Sequence, residues 1–329
     1  MTASWTQSQQ HALVSRNMTD LRSGLMPPDI AMSPWQGGES DVLPAVDDVQ
    51  ATDLPQARFK CLEFAVSHEA KTLWCHMRPA GRPNFSHVML DDLLRMKNAI
   101  RCIPQTDRSG APSLEFFVLA SRVPNVYNFG GDLEFFCACI RSGRREHLRA
   151  YAYACIDALY ANATGYDRDL TAIGLVQGEA LGGGFEAALS CDVIIAEKHA
   201  RFGLPEVRFN LFPGMGAYSF LARRLGGSKA QQLILSGKIF SAAEMAELGI
   251  VDVLVESGDG EAAVKDYVAR NRSKHRACAA FSRVRRRVNP VTFEELRDVT
   301  DIWVDAAFRL SEQDMRKMTK IATAQNHCA

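Results

Sequence analysis

Ala180-Leu181-Gly182-Gly183-Gly184-Phe185-Glu186-Ala187-Ala188-Leu189-Ser190-Cys191-Asp192 is the stretch around which the rest of the chain can be read. Three successive glycines separate a β-rich run, Thr171 to Val176, from a helix-forming run, Phe185 to Ser190. The backbone there can approach a ligand with no side chain in the way. A glycine turn that opens a helix also presents free N–H groups beside the positive end of the helix dipole, which favours negative charge, whether or not that charge is a phosphate. Glu186 lies one turn into the helix, and Glu206 follows in Phe202-Gly203-Leu204-Pro205-Glu206, a strand-to-loop crossing. Two carboxylates flanking an anion-stabilising turn point to acid/base chemistry on a carbonyl compound whose oxygen becomes negative.

Outward from this stretch, buried-strand runs alternate with helical ones. Arg58 to Val66 and Thr72 to Met77 read as a hairpin, and Ser86 caps a helix carrying Val88, Leu90, Leu93, Leu94, Met96 and Ile100. Leu114 to Ala120 is a buried strand. It leads to a second glycine turn, Phe129-Gly130-Gly131-Asp132-Leu133, with Asp132 typed as cap of a helix running through Tyr160. Val193 to Ala196 and Val251 to Val255 are further strands; Tyr218 to Leu225, Ala230 to Leu235 and Ala242 to Leu248 are helices. The pattern is that of an α/β layer with a largely parallel sheet. Residues 1–55, polar and proline-dotted, read as a mobile extension with a short helix near Gln7 to Asn17 and a docking Trp35; 56–257 form the core domain, and 258–329 an arginine-richer helical region.

Composition narrows the function. Across 329 residues, 38 Lys and Arg balance 38 Asp and Glu, so no global field draws the chain to nucleic acid or a membrane surface. Nine cysteines, an odd number without a Cys-x-x-Cys pair, sit in apolar surroundings and read as buried thiols of a reducing, cytoplasmic compartment. No run has membrane-spanning length, and the eight histidines lack ligand spacing, so no metal is expected.

With the two glycine turns, Gln177 to Glu186, Phe202 to Glu206, Pro213-Gly214-Met215-Gly216 and Ser236 to Glu244 on the page, the chain resembles the crotonase (enoyl-CoA hydratase/isomerase) superfamily over about residues 57 to 256. The run Arg208 to Gly226 looks specifically like the diffusible signal factor (DSF) synthases, bacterial enzymes that make cis-2-enoic fatty-acid signals from 3-hydroxyacyl chains on acyl carrier protein. The resemblance implies the ClpP/crotonase-like α/β fold of repeated ββα units with a C-terminal helical layer serving as lid or oligomer contact, in trimers or dimers of trimers. It implies that the N–H groups of Gly131 and Gly183 form an oxyanion hole for a thioester carbonyl, and that Glu186 and Glu206 are the acid/base pair. It implies no resident cofactor, the substrate riding on the phosphopantetheine of acyl carrier protein or on coenzyme A. Gly131 stands where hydratases often carry alanine or a bulkier residue.

The aromatic residues near the implied site, Phe129, Phe135, Phe136, Phe185, Phe209, Phe212 and Phe220 with Met215, suit an acyl-chain tunnel; Phe129, Phe136, Phe185, Phe212 and Met215 are the selected lining. Arginine clusters at Arg270 to Arg276 and at Arg283, Arg285, Arg286 and Arg287 could dock acidic acyl carrier protein, and Arg141, Arg144, Arg145 and Arg149 form a rival patch. Asp132 and Asp192 read as structural caps or turn residues. The function expected is therefore a DSF-type synthase that dehydrates and then hydrolyses a 3-hydroxyacyl thioester. The alternatives are an enoyl-CoA hydratase or isomerase on coenzyme A substrates, and a non-catalytic scaffold that sequesters a partner such as a sensor-kinase receiver domain.

Overall fold

Six-residue runs with no charge become strands with both faces covered in the computed structural model, which describes residues 54, 58–106, 110 and 113–325. β1 (Leu62–Ser67) and β2 (Thr72–Met77) form the expected antiparallel hairpin, with Leu62 opposite Met77 and Ser67 opposite Thr72. β3 (Phe116–Ser121) and β5 (Thr171–Val176) are buried at every position, as parallel strands sandwiched between other layers must be. With β7 (Val193–Glu197) and β10 (Val253–Val255) they complete a six-stranded sheet in the order β1-β2-β3-β5-β7-β10, parallel beyond the first pair.

Short strands β4 (Val126–Asn128), β6 (Glu179–Leu181), β8 (Arg201–Gly203) and β9 (Ile239–Ser241) make a second, four-stranded sheet. Each of β3–β4, β5–β6 and β7–β8 thus puts one strand in the large sheet and the next in the small one before a helix follows, which is the repeated ββα unit. The step between sheets is tight. A Cβ on Gly178 would lie 2.0 Å from the carbonyl carbon of Asn125, so only glycine fits where β5 turns into β6.

Helices cover both faces. α1 (His87–Cys102) begins at Ser86, whose hydroxyl accepts from Met89 N. α2 (Leu133–Arg141) begins at Asp132, whose carboxylate accepts from Phe135 N at 3.1 Å. The single helix expected from Leu133 through Tyr160 is two: Gly143, at φ +67, ends the first, and α3 (Arg145–Ala163) starts afresh. α4 (Gly183–Leu189) follows the triple glycine, and a 3-10 turn (Pro205–Phe209) follows β8. α5 (Ala217–Leu225), α6 (Gly227–Ser236) and α7 (Ala242–Glu247) come next, the last opened by a capping box of Ser241 and Glu244.

The C-terminal helical layer comprises α8 (Gly260–Arg272), α9 (His275–Val288), α10 (Phe293–Ala307) and α11 (Glu312–Gln325). It is not detachable from the core. Val264 and Val268 of α8 are buried with Trp74, Phe116, Val118, Ile173, Leu175 and Ile195 on the outer face of the large sheet. Each such valine is worth about 1.5–3 kcal/mol of burial. On the opposite face the main core takes in residues from α1 through α7, α10 and α11 and also Leu54, which is 1% exposed. Leu54, beside the boundary at residue 55, packs with that core. The expected helix near Gln7 to Asn17 and the docking of Trp35 lie outside the described residues. All eight described cysteines are free thiols, six of them buried and Cys102 and Cys278 half-buried.

Candidate active site

Each glycine turn of the sequence sits at the end of a short strand of the small sheet, and β4 and β6 are parallel neighbours. Their turns are consequently brought together. A Cβ built on Gly183 would stand 3.1 Å from Gly130 Cα and 3.4 Å from Gly131 N, and one built on Gly130 would overlap Gly183 N at 2.4 Å. No side chain can be interposed, so two backbone amides share one small space. Gly183 opens α4, so its N–H has no carbonyl one turn back to bond within the helix. The Gly130–Gly131 turn is braced from three sides. Asn128 Oδ1 accepts from Gly130 N at 2.7 Å, Phe85 N donates to Gly130 O at 2.8 Å, and Tyr151 OH accepts from Asp132 N at 3.0 Å while donating to Phe85 O.

The two glutamates enter the same space from different elements. Glu186, 1% exposed, is one turn into α4. Its Oε1 accepts from Met215 N at 2.9 Å and Ala217 N at 3.0 Å, so the N-terminus of α5 fixes the carboxylate. Burial still outweighs those two donors and pushes the Glu186 carboxyl up to about 7. Glu206 is carried in by the 3-10 turn, and its Oε2 is sealed from solvent with no hydrogen-bond partner. Its carboxyl is raised to about 8, first by burial and then by the charge of Glu186. Both carboxyls are thus shifted toward neutral pH, where each can take or give a proton, an arrangement suited to taking a proton at one atom and giving one at another.

Gly182 makes that pairing possible. It holds φ +52, and a Cβ there would stand 2.6 Å from Glu206 Oε1, while its N–H donates to Gly203 O at 2.9 Å and ties the strand leading to Glu206 to the turn.

Gly131, Gly183, Glu186 and Glu206 line one cavity. Its walls are mainly apolar. Of the selected acyl-tunnel residues, Phe129, Phe136 and Met215 line it, and so does Phe209. Phe185 and Phe212 do not, which corrects the expectation. Phe185 is fully buried on the far side of α4, its ring edge-on to Phe202 at 5.3 Å, and Phe212 packs half-buried against the main core. Phe135 also lies outside the lining, its ring packed against His87 and Tyr151. Gly131 leaves room that Phe136 fills, since a Cβ there would meet that ring at 2.5 Å.

A sequence profile described as Enoyl-CoA hydratase/isomerase matches residues 105–283. The chain belongs to this, the crotonase, family. Among relatives, the probable mitochondrial enoyl-CoA hydratase 2 of Arabidopsis thaliana is 32% identical over 184 residues, 55% of this chain and 56% of that protein. The probable enoyl-CoA hydratase echA8 of Mycobacterium tuberculosis (strain CDC 1551 / Oshkosh) is 46% identical over 87 residues, 26% of this chain and 34% of that protein. The chain thus spans about half or less of the length of the curated relatives it matches. A crystal structure of enoyl-CoA hydratase from Bacillus halodurans superposes with a TM-score of 0.66 at 21% identity, covering 80% of this chain and 100% of the other. That of human mitochondrial delta3-delta2-enoyl-CoA isomerase gives 0.65 at 18%, covering 81% and 98%. At such identity these two establish the crotonase fold alone.

The crotonase cavity has parts that no sequence signal marked. Trp303 of α10 and Ile321 of α11 line it, so the chain's own C-terminal helices roof the site. Trp303 fits because Gly214 leaves space: a Cβ there would overlap the indole at 2.2 Å, and Thr300 Oγ1 donates to Gly214 O at 3.1 Å. Phe85, Cys155 and Leu159 were missed because they lie in helical or loop runs with nothing but ordinary core periodicity.

Within the arginine patches several members are paired. Arg285 and Arg286 are engaged by Asp192, which also accepts from Ala172 N at 3.0 Å. Arg145 pairs with Asp305, and Arg149 with Glu146 and Asp301. These four cations bind helices to the fold; Arg141, Arg144 and Arg287 form no ion pair among the described residues.

Proposed function

We propose that this chain dehydrates a medium- or long-chain 3-hydroxyacyl thioester on acyl carrier protein to the cis-2-enoyl thioester and then hydrolyses it, releasing a diffusible fatty-acid signal. The observation that carries the reading is the meeting of Gly131, Gly183, Glu186 and Glu206 around one apolar cavity. The signal-synthase assignment draws on the Arg208 to Gly226 run, whose Phe209, Leu211, Pro213, Gly214 and Met215 form one wall of that cavity.

In this reading the thioester oxygen accepts from the two glycine amides. Ionised Glu186, whose carboxylate accepts from Met215 N and Ala217 N, takes the α-proton, and the electron pair moves onto the oxygen as an enolate. Protonated Glu206 gives its proton to the 3-hydroxyl, which departs as water while the enolate collapses to the alkene. Hydrolysis uses the same amides: a water deprotonated by a glutamate adds to the carbonyl, and the carrier thiol leaves with the proton. Each amide donor contributes about 3 kcal/mol to either oxyanion.

Glu186→Gln and Glu206→Gln are each expected to lower kcat/KM by at least about 100-fold with an unchanged circular dichroism spectrum. Full activity in either variant refutes the assignment.

A second reading, hydration or isomerisation of acyl-coenzyme A by the same four groups, is favoured by the names of the relatives, probable enoyl-CoA hydratases among them. Matched acyl-coenzyme A and acyl-carrier substrates, with chromatography for free fatty acid, separate the two. Assembly as a trimer or dimer of trimers belongs to the same proposal. Phe281, Val284 and Val288, spaced along one side of α9 at 68%, 53% and 79% exposure, are the apolar surface such an assembly would cover, and mass photometry tests it.

A further inference from the structure

The Gly131 amide takes its direction from a chain of hydrogen bonds that begins outside the cavity. Phe85 and Gly131 face each other across an isolated parallel bridge, in which Phe85 N donates to Gly130 O at 2.8 Å. Gly130 O and the Gly131 N–H belong to one planar trans peptide, where carbonyl and N–H point in opposite directions. Whatever holds that carbonyl toward Phe85 therefore holds the N–H away from it. Gly131 is a wall of the cavity, and among the described residues nothing accepts from its N–H. The bond at Gly130 O also polarises the shared peptide, which makes the Gly131 N–H a better donor.

Phe85 is held in its turn. Its carbonyl accepts from Tyr151 OH, and the same hydroxyl accepts from Asp132 N at 3.0 Å. One oxygen atom thus ties down both sides of the bridge, Phe85 on one and the residue after Gly131 on the other. The hydroxyl is itself firmly mounted. Tyr151 is 2% exposed on α3, its ring 5.2 Å from that of His87 and 5.3 Å from those of Phe135 and Phe136. It is not part of the cavity wall, so it does not touch a molecule bound there. The second amide has no such support: Gly183 is directed by its place at the start of α4.

Resting on the thioester reading above, we propose that Tyr151 is a positioning residue which, acting through Phe85, aims the Gly131 N–H at the thioester oxygen and at the enolate formed there. It takes no part in proton transfer and adds nothing to substrate binding. Its removal leaves Glu186, Glu206 and Gly183 in place and misdirects one donor of two.

Tyr151→Phe deletes one oxygen and keeps the packed ring. Its kcat is expected to fall about tenfold with KM changed by less than about twofold, a fraction of the roughly hundredfold that outright loss of an oxyanion donor costs. Tyr166→Phe is the control. It deletes an equally buried hydroxyl, bonded to Asn162 Oδ1 at 2.7 Å, from a residue outside the cavity wall, and is expected to leave kcat unchanged. Equal losses of kcat in the two variants, or none in Tyr151→Phe, overturn the proposal. Independently of turnover, amide NMR of protein labelled only at its glycines is expected to show the Gly130 and Gly131 resonances displaced by Tyr151→Phe while that of Gly183 stays. A Gly131 resonance that does not move overturns the proposal as well. If the parent turns over no thioester, the thioester reading fails and the glycine spectra still decide what Tyr151 does; turnover with kcat unchanged in Tyr151→Phe counts against the positioning role alone.

Discussion

Glu186 carries a cost that the fold tolerates for the sake of its chemistry. Burial raises its carboxyl from 4.5 to about 7, so the ionised form is less favourable folded than unfolded. The penalty is absent below about pH 4.5, grows as pH rises, and is complete above about pH 7. Glu186→Gln removes it, and the variant's stability advantage over the parent is expected to widen by about 2–3 kcal/mol between pH 5 and pH 8.5, measured by urea unfolding. The same two carboxyls set a window for catalysis. With Glu186 near 7 and Glu206 near 8, the singly protonated pair is most populated between those values, so kcat/KM against pH is expected to be bell-shaped with its maximum there. A rate that keeps rising beyond pH 9 would show that Glu206 does not act as an acid. Residue types made both glutamates legible beside their glycines. The pKa order was not legible, because it depends on Met215 and Ala217, whose N–H groups reach Glu186 only after the chain has folded back.

At the scale of elements, α10 is seated by a single absent side chain. Gly214→Ala would drive a methyl into the Trp303 indole, which is packed edge-on to Phe136 at 5.2 Å. The variant is expected to lose about 2–3 kcal/mol of stability and to raise KM more than it lowers kcat, since α10 roofs the cavity while the glutamates stay in place. Differential scanning fluorimetry and steady-state kinetics check both. Elements with strong local signals were read correctly: the hairpin, the Ser86 and Asp132 caps, and the start of the helix after each glycine turn. The break between α2 and α3 was missed because the apolar spacing runs on through Ser142-Gly143 and outweighed a glycine whose positive φ ends the helix. The roofing by α10 and α11 had no signal at all, since amphipathic helices do not announce which groove they fill.

For the whole molecule, Asp192 is the point where sheet and C-terminal layer are joined. It accepts from Ala172 N at the start of β5 and engages both Arg285 and Arg286 of α9, with its own side chain 5% exposed. Asp192→Ala strands a backbone donor and two guanidinium groups, and is expected to cost about 3 kcal/mol, seen as a lowered urea midpoint with faster amide exchange in α9. Sequence reading took Asp192 as a cap or turn residue and offered the arginines as one of two candidate carrier docks. Neither view could see that residues 93 positions apart would neutralise one another. Because Trp303 and Ile321 supply part of the cavity wall, the two glutamates stand in an open trough until the last two helices have been synthesised and have docked. A chain ending before α10 would leave both glutamates without the wall that Trp303 and Ile321 supply.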